Sequence, residues 1–177
     1  MIVAFDNSIF TLLVNPAALP RPNPNTGKPT DHHKQKVDGL IESLSGQQAT
    51  VLIPAPAFSE ALTGAENIAQ LAEYVSKHEA FEVAPFNMRA AFELAEATKK
   101  AIKDGRKSGS LGEPYQKAKF DRQIVAIAKA NGASTLYTDD IQQTEFAEEM
   151  GLDVVHSWDL PLAPEHAQRE IDFGSDE

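Results

Sequence analysis

Short apolar runs stand at Ile2–Phe5, Val51–Ile53, Phe81–Ala84, Thr135–Tyr137 and Leu152–Val155, each bounded by polar or turn-forming residues. Runs this short, without strict alternation, suit strands buried on both faces. Between them apolar residues recur at helical spacing. Val37, Leu40, Ile41 and Leu44 mark a helix over 32–45, and Ile68, Leu71, Ala72 and Val75 mark one over 66–78. Phe120, Ile124, Val125, Ile127 and Ala128 form the apolar stripe of a helix over 116–131. Further helices are predicted at Ile9–Leu13, with Ser8 as its cap, and at Phe58–Leu62, 87–103 and 142–150. Strands alternating with helices predict an α/β domain around a parallel sheet, with right-handed crossovers placing helices on both faces.

Two stretches break this rhythm. Residues 15–31 carry Pro16, Pro20, Pro22, Pro24 and Pro29 with Gly27, and read as an extended surface loop. Gly105–Pro114 is rich in glycine and serine and reads as a second loop. After Trp158 the chain is acidic and proline-containing, and a loose tail is expected. The 177 residues, 42% apolar and 24% charged, suit one globular domain with short appendages. With no cysteine, a disulfide scaffold, a thiolate zinc site, an iron–sulfur cluster and a cysteine nucleophile are excluded. No apolar run has membrane-spanning length, and no basic segment followed by an apolar stretch opens the chain. A cytoplasmic protein with no membrane partner is therefore expected.

The formal net charge of −10 disfavours a general grip on nucleic acid. Its distribution alters that reading. Residues 99–122 hold eight basic residues against three acids, whereas residues 139–177 hold twelve acids and one base. The basic strip reads either as a solvated face or as a surface that touches a polyanion. Lys103, Arg106, Lys107, Lys117, Lys119 and Arg122 are its candidate polyanion-binding residues.

Several acids stand where a purely structural sequence has little use for them. Asp6 follows the first strand, and Asp139 and Asp140 follow the fourth. In an open parallel sheet ligands bind beyond the carboxyl ends of the strands, although a helix cap or a turn would use the same residues. Glu60 follows the second strand by one helical turn. Asp121 precedes Ile124, Val125 and Ala128 at spacings that put it on their apolar face. A carboxylate turned coreward needs a partner, either a salt bridge to Lys119 or Arg122 or a metal ion. A convergence of such acids needs a cation, and oxygen-only ligands favour magnesium or manganese. The five histidines show no zinc-ligand spacing.

Four segments together carry a family resemblance. Ile2-Val3-Ala4-Phe5-Asp6-Asn7-Ser8 resembles the opening of a PIN domain, a hydrophobic strand ending in an acid and a small polar residue. Ile53-Pro54-Ala55-Pro56-Ala57-Phe58-Ser59-Glu60-Ala61-Leu62 resembles the second motif of that family, which ends in a glutamate. Phe120-Asp121-Arg122-Gln123-Ile124-Val125-Ala126-Ile127-Ala128 resembles the third, and Leu136-Tyr137-Thr138-Asp139-Asp140 resembles the fourth, with its Thr-x-Asp. The resemblance implies a three-layer α/β sandwich over residues 1–156, with a proline-rich insertion near 15–31, a basic loop near 103–119 and an acidic tail over 157–177. It also implies a metal-dependent endoribonuclease using Mg2+ or Mn2+. Asp6, Glu60, Asp121 and Asp140 match the catalytic, metal-holding acids, Asp139 is the neighbouring ligand candidate, and Thr138 and Ser8 support them. Many relatives are VapC-like toxins, so an RNA substrate, an antitoxin partner and a homodimer are implied as well.

Two other readings compete. A haloacid-dehalogenase-like phosphatase also places an aspartate after its first strand and an acid pair after a later one. Its usual Asp-x-Asp would need an acid where Ser8 stands, and Glu60 and Asp121 would be left without a role. A non-catalytic RNA-binding PIN module would keep the basic strip and leave the four acids idle.

Overall fold

The computed structural model describes residues 1–103 and 115–162, with the backbone alone at 115–117. Five strands form one sheet: β1 (Ile2–Phe5), β2 (Thr50–Pro54), β3 (Phe81–Ala84), β4 (Thr135–Tyr137) and β5 (Asp153–Val155). All neighbouring pairs are parallel, in the order β3-β2-β1-β4-β5. β1 is central, with Ala4 opposite Leu52 on one side and Leu136 on the other.

Each connection between strands carries helix. The described helices are α1 (Asn7–Val14), α2 (His33–Gly46), α3 (Ala55–Gly64), α4 (Ile68–Lys77), α5 (Met88–Lys103), α6 (Tyr115–Ala130) and α7 (Ile141–Glu149). The strands divide their side chains between two cores, as the pleat requires. Val3, Phe5, Val51 and Ile53 pack with Ile9 and Phe10 of α1, Val37, Leu40 and Leu44 of α2, and Val75 of α4. Ala4, Leu52 and Leu136 pack on the opposite face with Ala90 of α5, Val125, Ile127 and Ala128 of α6, and Phe146 and Ala147 of α7. Helices therefore cover both faces, and this accounts for the continuous apolar runs of the central strands β1 and β2. The result is the three-layer α/β sandwich that the pattern predicts.

Several local details depart from the sequence reading. Asp6, not Ser8, caps α1, and its carboxylate accepts from the Ser8 amide. The helix expected at 58–62 starts at Ala55, because Pro56 falls in the first turn, where a missing N–H costs nothing. Tyr115–Lys119 belong to α6, so the end of the expected basic loop is helical. Residues 104–114, including Arg106 and Lys107, lie outside the described residues, as does the tail from 163 onward. The expected tail does not begin at 157: Ser157 and Leu160 are buried, and Lys36 donates through Nζ to the Trp158 carbonyl at 2.9 Å. Gly132 follows α6 at φ +78°, a left-handed turn into β4 that suits glycine. Residues 15–31 contain no regular element, as the prolines predict.

Candidate active site

The strand order reverses at β1, so the gap beyond the carboxyl ends of β1 and β4 is the topological switch point of this sheet. Asp6 leaves β1 there, and Thr138, Asp139 and Asp140 leave β4 there. The Asp6 amide donates to the Tyr137 carbonyl at 3.0 Å, which extends the ladder to the first acid.

Around this gap lies a cavity of about 310 Å³. Asp6, Glu60, Asp121, Asp139 and Asp140 all line it. Four lie after strand ends or on α3, and Asp121 comes from α6. Ser8 and Asn7 of α1 line it too, as do Phe120 and the consecutive residues Ala18, Leu19, Pro20 and Arg21.

Asp6 is the most constrained of the acids. Its Oδ2 accepts from Thr138 Oγ1 at 2.9 Å and from Ser8 Oγ at 3.0 Å. Burial pushes its pKa above the ordinary value. The hydrogen bonds from Thr138, Ser8 and the backbone oppose that rise without cancelling it. Thr138 also accepts from the Asp140 amide at 3.0 Å, so one hydroxyl couples the two strand ends.

Asp139 and Asp140 are adjacent and differently employed. Both Asp139 oxygens accept from Ser157, Oδ1 from its amide and Oδ2 from its hydroxyl, each at 2.7 Å. The resemblance makes Asp139 a candidate metal ligand; its carboxylate here anchors the short 3-10 turn Ser157–Asp159 to the end of β4. Asp140 caps α7 through Oδ1, which accepts from the amides of Gln142 and Gln143. Its Oδ2 accepts from Arg21 Nη1 at 3.0 Å.

Glu60 is exposed on α3, and Asp121 is half-buried on α6. The expectation that Asp121 shares the apolar face of α6 stands beside a correction. Phe120, assigned to the same stripe, is 50% exposed, because α6 runs past the cavity at this point.

Among the described residues, the basic candidates Lys103, Lys119 and Arg122 are not part of the cavity wall. Lys103 and Lys119 are exposed, and Arg122 lies over the Phe146 ring at 5.3 Å, a cation–π contact between α6 and α7. The Lys117 side chain is outside the described residues. Arg21, which sequence reasoning passed over, is the cationic residue that lines the cavity among the described residues. Its only signal was a basic residue between two prolines.

All five acids offer oxygen, a donor set whose chemistry fits a hard divalent cation. They surround the cavity without converging, and among the described residues no group of three closes on a single ion position.

A family model of the PIN domain matches residues 30–149. The chain belongs to the PIN domain family. The match begins where the proline-rich segment ends. That insertion separates the first acid from the others in sequence, and the pairing of β1 with β2 and β4 brings it back to them. This membership sets aside the haloacid-dehalogenase reading.

Solved structures agree with the PIN fold. A chain of VapBC2 from Rickettsia felis, bound to a DNA fragment from their promoter, superposes with a TM-score of 0.57 at 17% identity, covering 88% of this chain and 98% of that one. A chain of DNA-bound VapBC from Salmonella typhimurium gives 0.53 at 16% identity, covering 89% and 99%. No curated protein matches the sequence. No described helix is long and apolar enough to cross a membrane.

Proposed function

We propose that this PIN domain is a metal-dependent endoribonuclease of the VapC kind, hydrolysing RNA phosphodiester bonds. One observation carries the reading: carboxylates from separate elements of a parallel sheet line one cavity at its switch point. Asp6, Glu60, Asp121 and Asp140 are the residues that would hold Mg2+ or Mn2+. When bound, such an ion lowers the pKa of a water and offsets charge on phosphorus.

The chain's own groups supply the rest. Thr138 and Ser8 fix the Asp6 carboxylate by donating to its Oδ2. Asp139 holds the turn at 157–159 through both of its oxygens, and Asp140 lines the cavity with Oδ2 paired to Arg21. The half-exposed Phe120 ring in the cavity wall offers a stacking face to an unstacked base, which favours a single-stranded substrate. Lys103 and Lys119 add positive charge on exposed helix surface near the two ends of the undescribed segment.

An antitoxin partner and a homodimer belong to the same reading. A second groove, of about 730 Å³, shares Asn7, Thr11 and Glu60 with the acid cavity and runs along α1, α3 and α4, where a partner segment would reach the site. The exposed Met88 and Phe92 of α5 offer apolar surface to a second copy. A cytoplasmic location follows from this role.

The deciding experiment is cleavage of a mixed RNA pool by purified protein in magnesium, manganese or chelator, beside Asp6→Asn. Metal-dependent cutting is expected, with a loss of about a hundredfold or more in the variant. Cutting that survives equally in Asp6→Asn would remove Asp6 from the site.

A further inference from the structure

A phosphodiester approaching this cavity meets carboxylates on nearly every side. Asp6, Glu60, Asp121, Asp139 and Asp140 all line it, and each repels an anion. Arg21 stands among them with 55% of its side chain exposed. Nη1 donates to Asp140 Oδ2 at 3.0 Å, the one hydrogen bond that the guanidinium makes among the described residues. A guanidinium carries five donors in a planar fork, so most of its donors are left for a ligand whose shape the fork fits, above all a phosphate.

The backbone presents this side chain deliberately. Ala18, Leu19, Pro20 and Arg21 form a continuous part of the cavity wall. Pro20 fixes its own φ, and Pro22 restricts Arg21 to extended conformations. A stiff strip loses less entropy when it holds a side chain in one place. The pair joins a half-exposed guanidinium to a buried carboxylate through a single hydrogen bond, so pinning the loop uses one of its five donors and does not account for the others.

We propose that Arg21, delivered by the proline-rich segment, grips the phosphate of the substrate in the acid cavity, while Asp140 orients its guanidinium. The inference rests on the nuclease reading for the identity of the substrate. It does not rest on it for the contact itself, which any single-stranded phosphodiester would test.

Fluorescence anisotropy with a labelled single-stranded RNA, in chelator, isolates that contact from metal. Wild type is compared with Arg21→Ala, Arg21→Lys and Lys28→Ala, the last an exposed base of the same segment that lies outside the cavity wall. Arg21→Ala is expected to weaken binding about tenfold or more, Arg21→Lys to restore part of it, and Lys28→Ala to leave it unchanged. In cleavage assays the alanine variant should raise KM more than it lowers kcat.

A lower melting temperature with unchanged RNA affinity would reduce Arg21 to a structural tie and overturn the proposal. So would an alanine variant that binds Mn2+ more tightly, by titration of the RNA-free protein, and keeps its RNA affinity. Wild-type binding without cleavage, still lost in Arg21→Ala, would sink the nuclease reading and keep this one. Wild-type cleavage with unchanged kcat/KM in Arg21→Ala would do the reverse.

Discussion

At the strand ends Asp6, Asp139 and Asp140 are buried, and each accepts at least two hydrogen bonds from named donors. Across the cavity, Glu60 on α3 and Arg21 in the proline-rich segment stand exposed. The first group is locked by the sheet, because the register of β1 against β4 fixes where the chain leaves each strand. The second is carried by a helix and a proline-stiffened loop, outside the register of the sheet. A site built this way has a buried floor and an exposed wall.

The sharpest way to break the comparison is at Asp139, the acid with both oxygens committed to Ser157. Asp139→Ala leaves the Ser157 amide and hydroxyl buried without their acceptor, at a cost of about 3 kcal/mol of unfolding free energy. Urea denaturation reads this directly. An unchanged midpoint would mean that the anchor is idle and that Asp139 is available to a ligand after all.

Glu60 should behave in the opposite way. It is exposed on α3, and Gln keeps its size and its hydrogen-bonding groups, so Glu60→Gln is expected to move the urea midpoint little and to lower kcat/KM about tenfold. If stability fell and activity did not, the exposed wall would be part of the scaffold.

The same division decides what the sequence could disclose. Asp6 and the Thr138–Asp140 stretch are legible because each follows a short apolar run, and the end of a parallel strand is a functional address. The central strands β1 and β2 are legible for the same reason, since burial on both faces leaves apolar runs, whereas the edge strands β3 and β5 each carry an exposed acid. The Asp139–Ser157 tie is not legible, because its partners are joined by folding across β5 and no periodicity relates them. Phe120 misleads. Helical spacing assigns it to the buried stripe, whereas burial depends on whether another layer lies opposite, and here the cavity does. Arg21 is the extreme case. A proline-rich segment has no period to read, so nothing local indicates that it folds back onto the acids. Even the α1 cap goes to Asp6 instead of Ser8, although both are good capping residues, and the helix start decides between them.

The smallest expected effect tests why the buried floor carries an acid at all. Burial holds the Asp6 pKa above its ordinary value of 3.8, so in the metal-free protein the folded state keeps a proton that the unfolded chain has lost. Stability contributed through Asp6 must then fall as pH rises from that ordinary value through the raised folded one, and level off above it. Asp6→Asn keeps an acceptor for Thr138 and Ser8 but has no proton to lose. Urea denaturation across this pH range in chelator should therefore show wild type losing stability relative to Asp6→Asn as the pH is raised. Parallel curves would mean that Asp6 is already offset by its hydrogen bonds. A cation beside a buried carboxylate favours the charged form, so saturating Mg2+ should shrink the difference between the two proteins at neutral pH. A difference insensitive to Mg2+ would place the ion away from Asp6 and shift the metal-holding role to the exposed acids of the opposite wall.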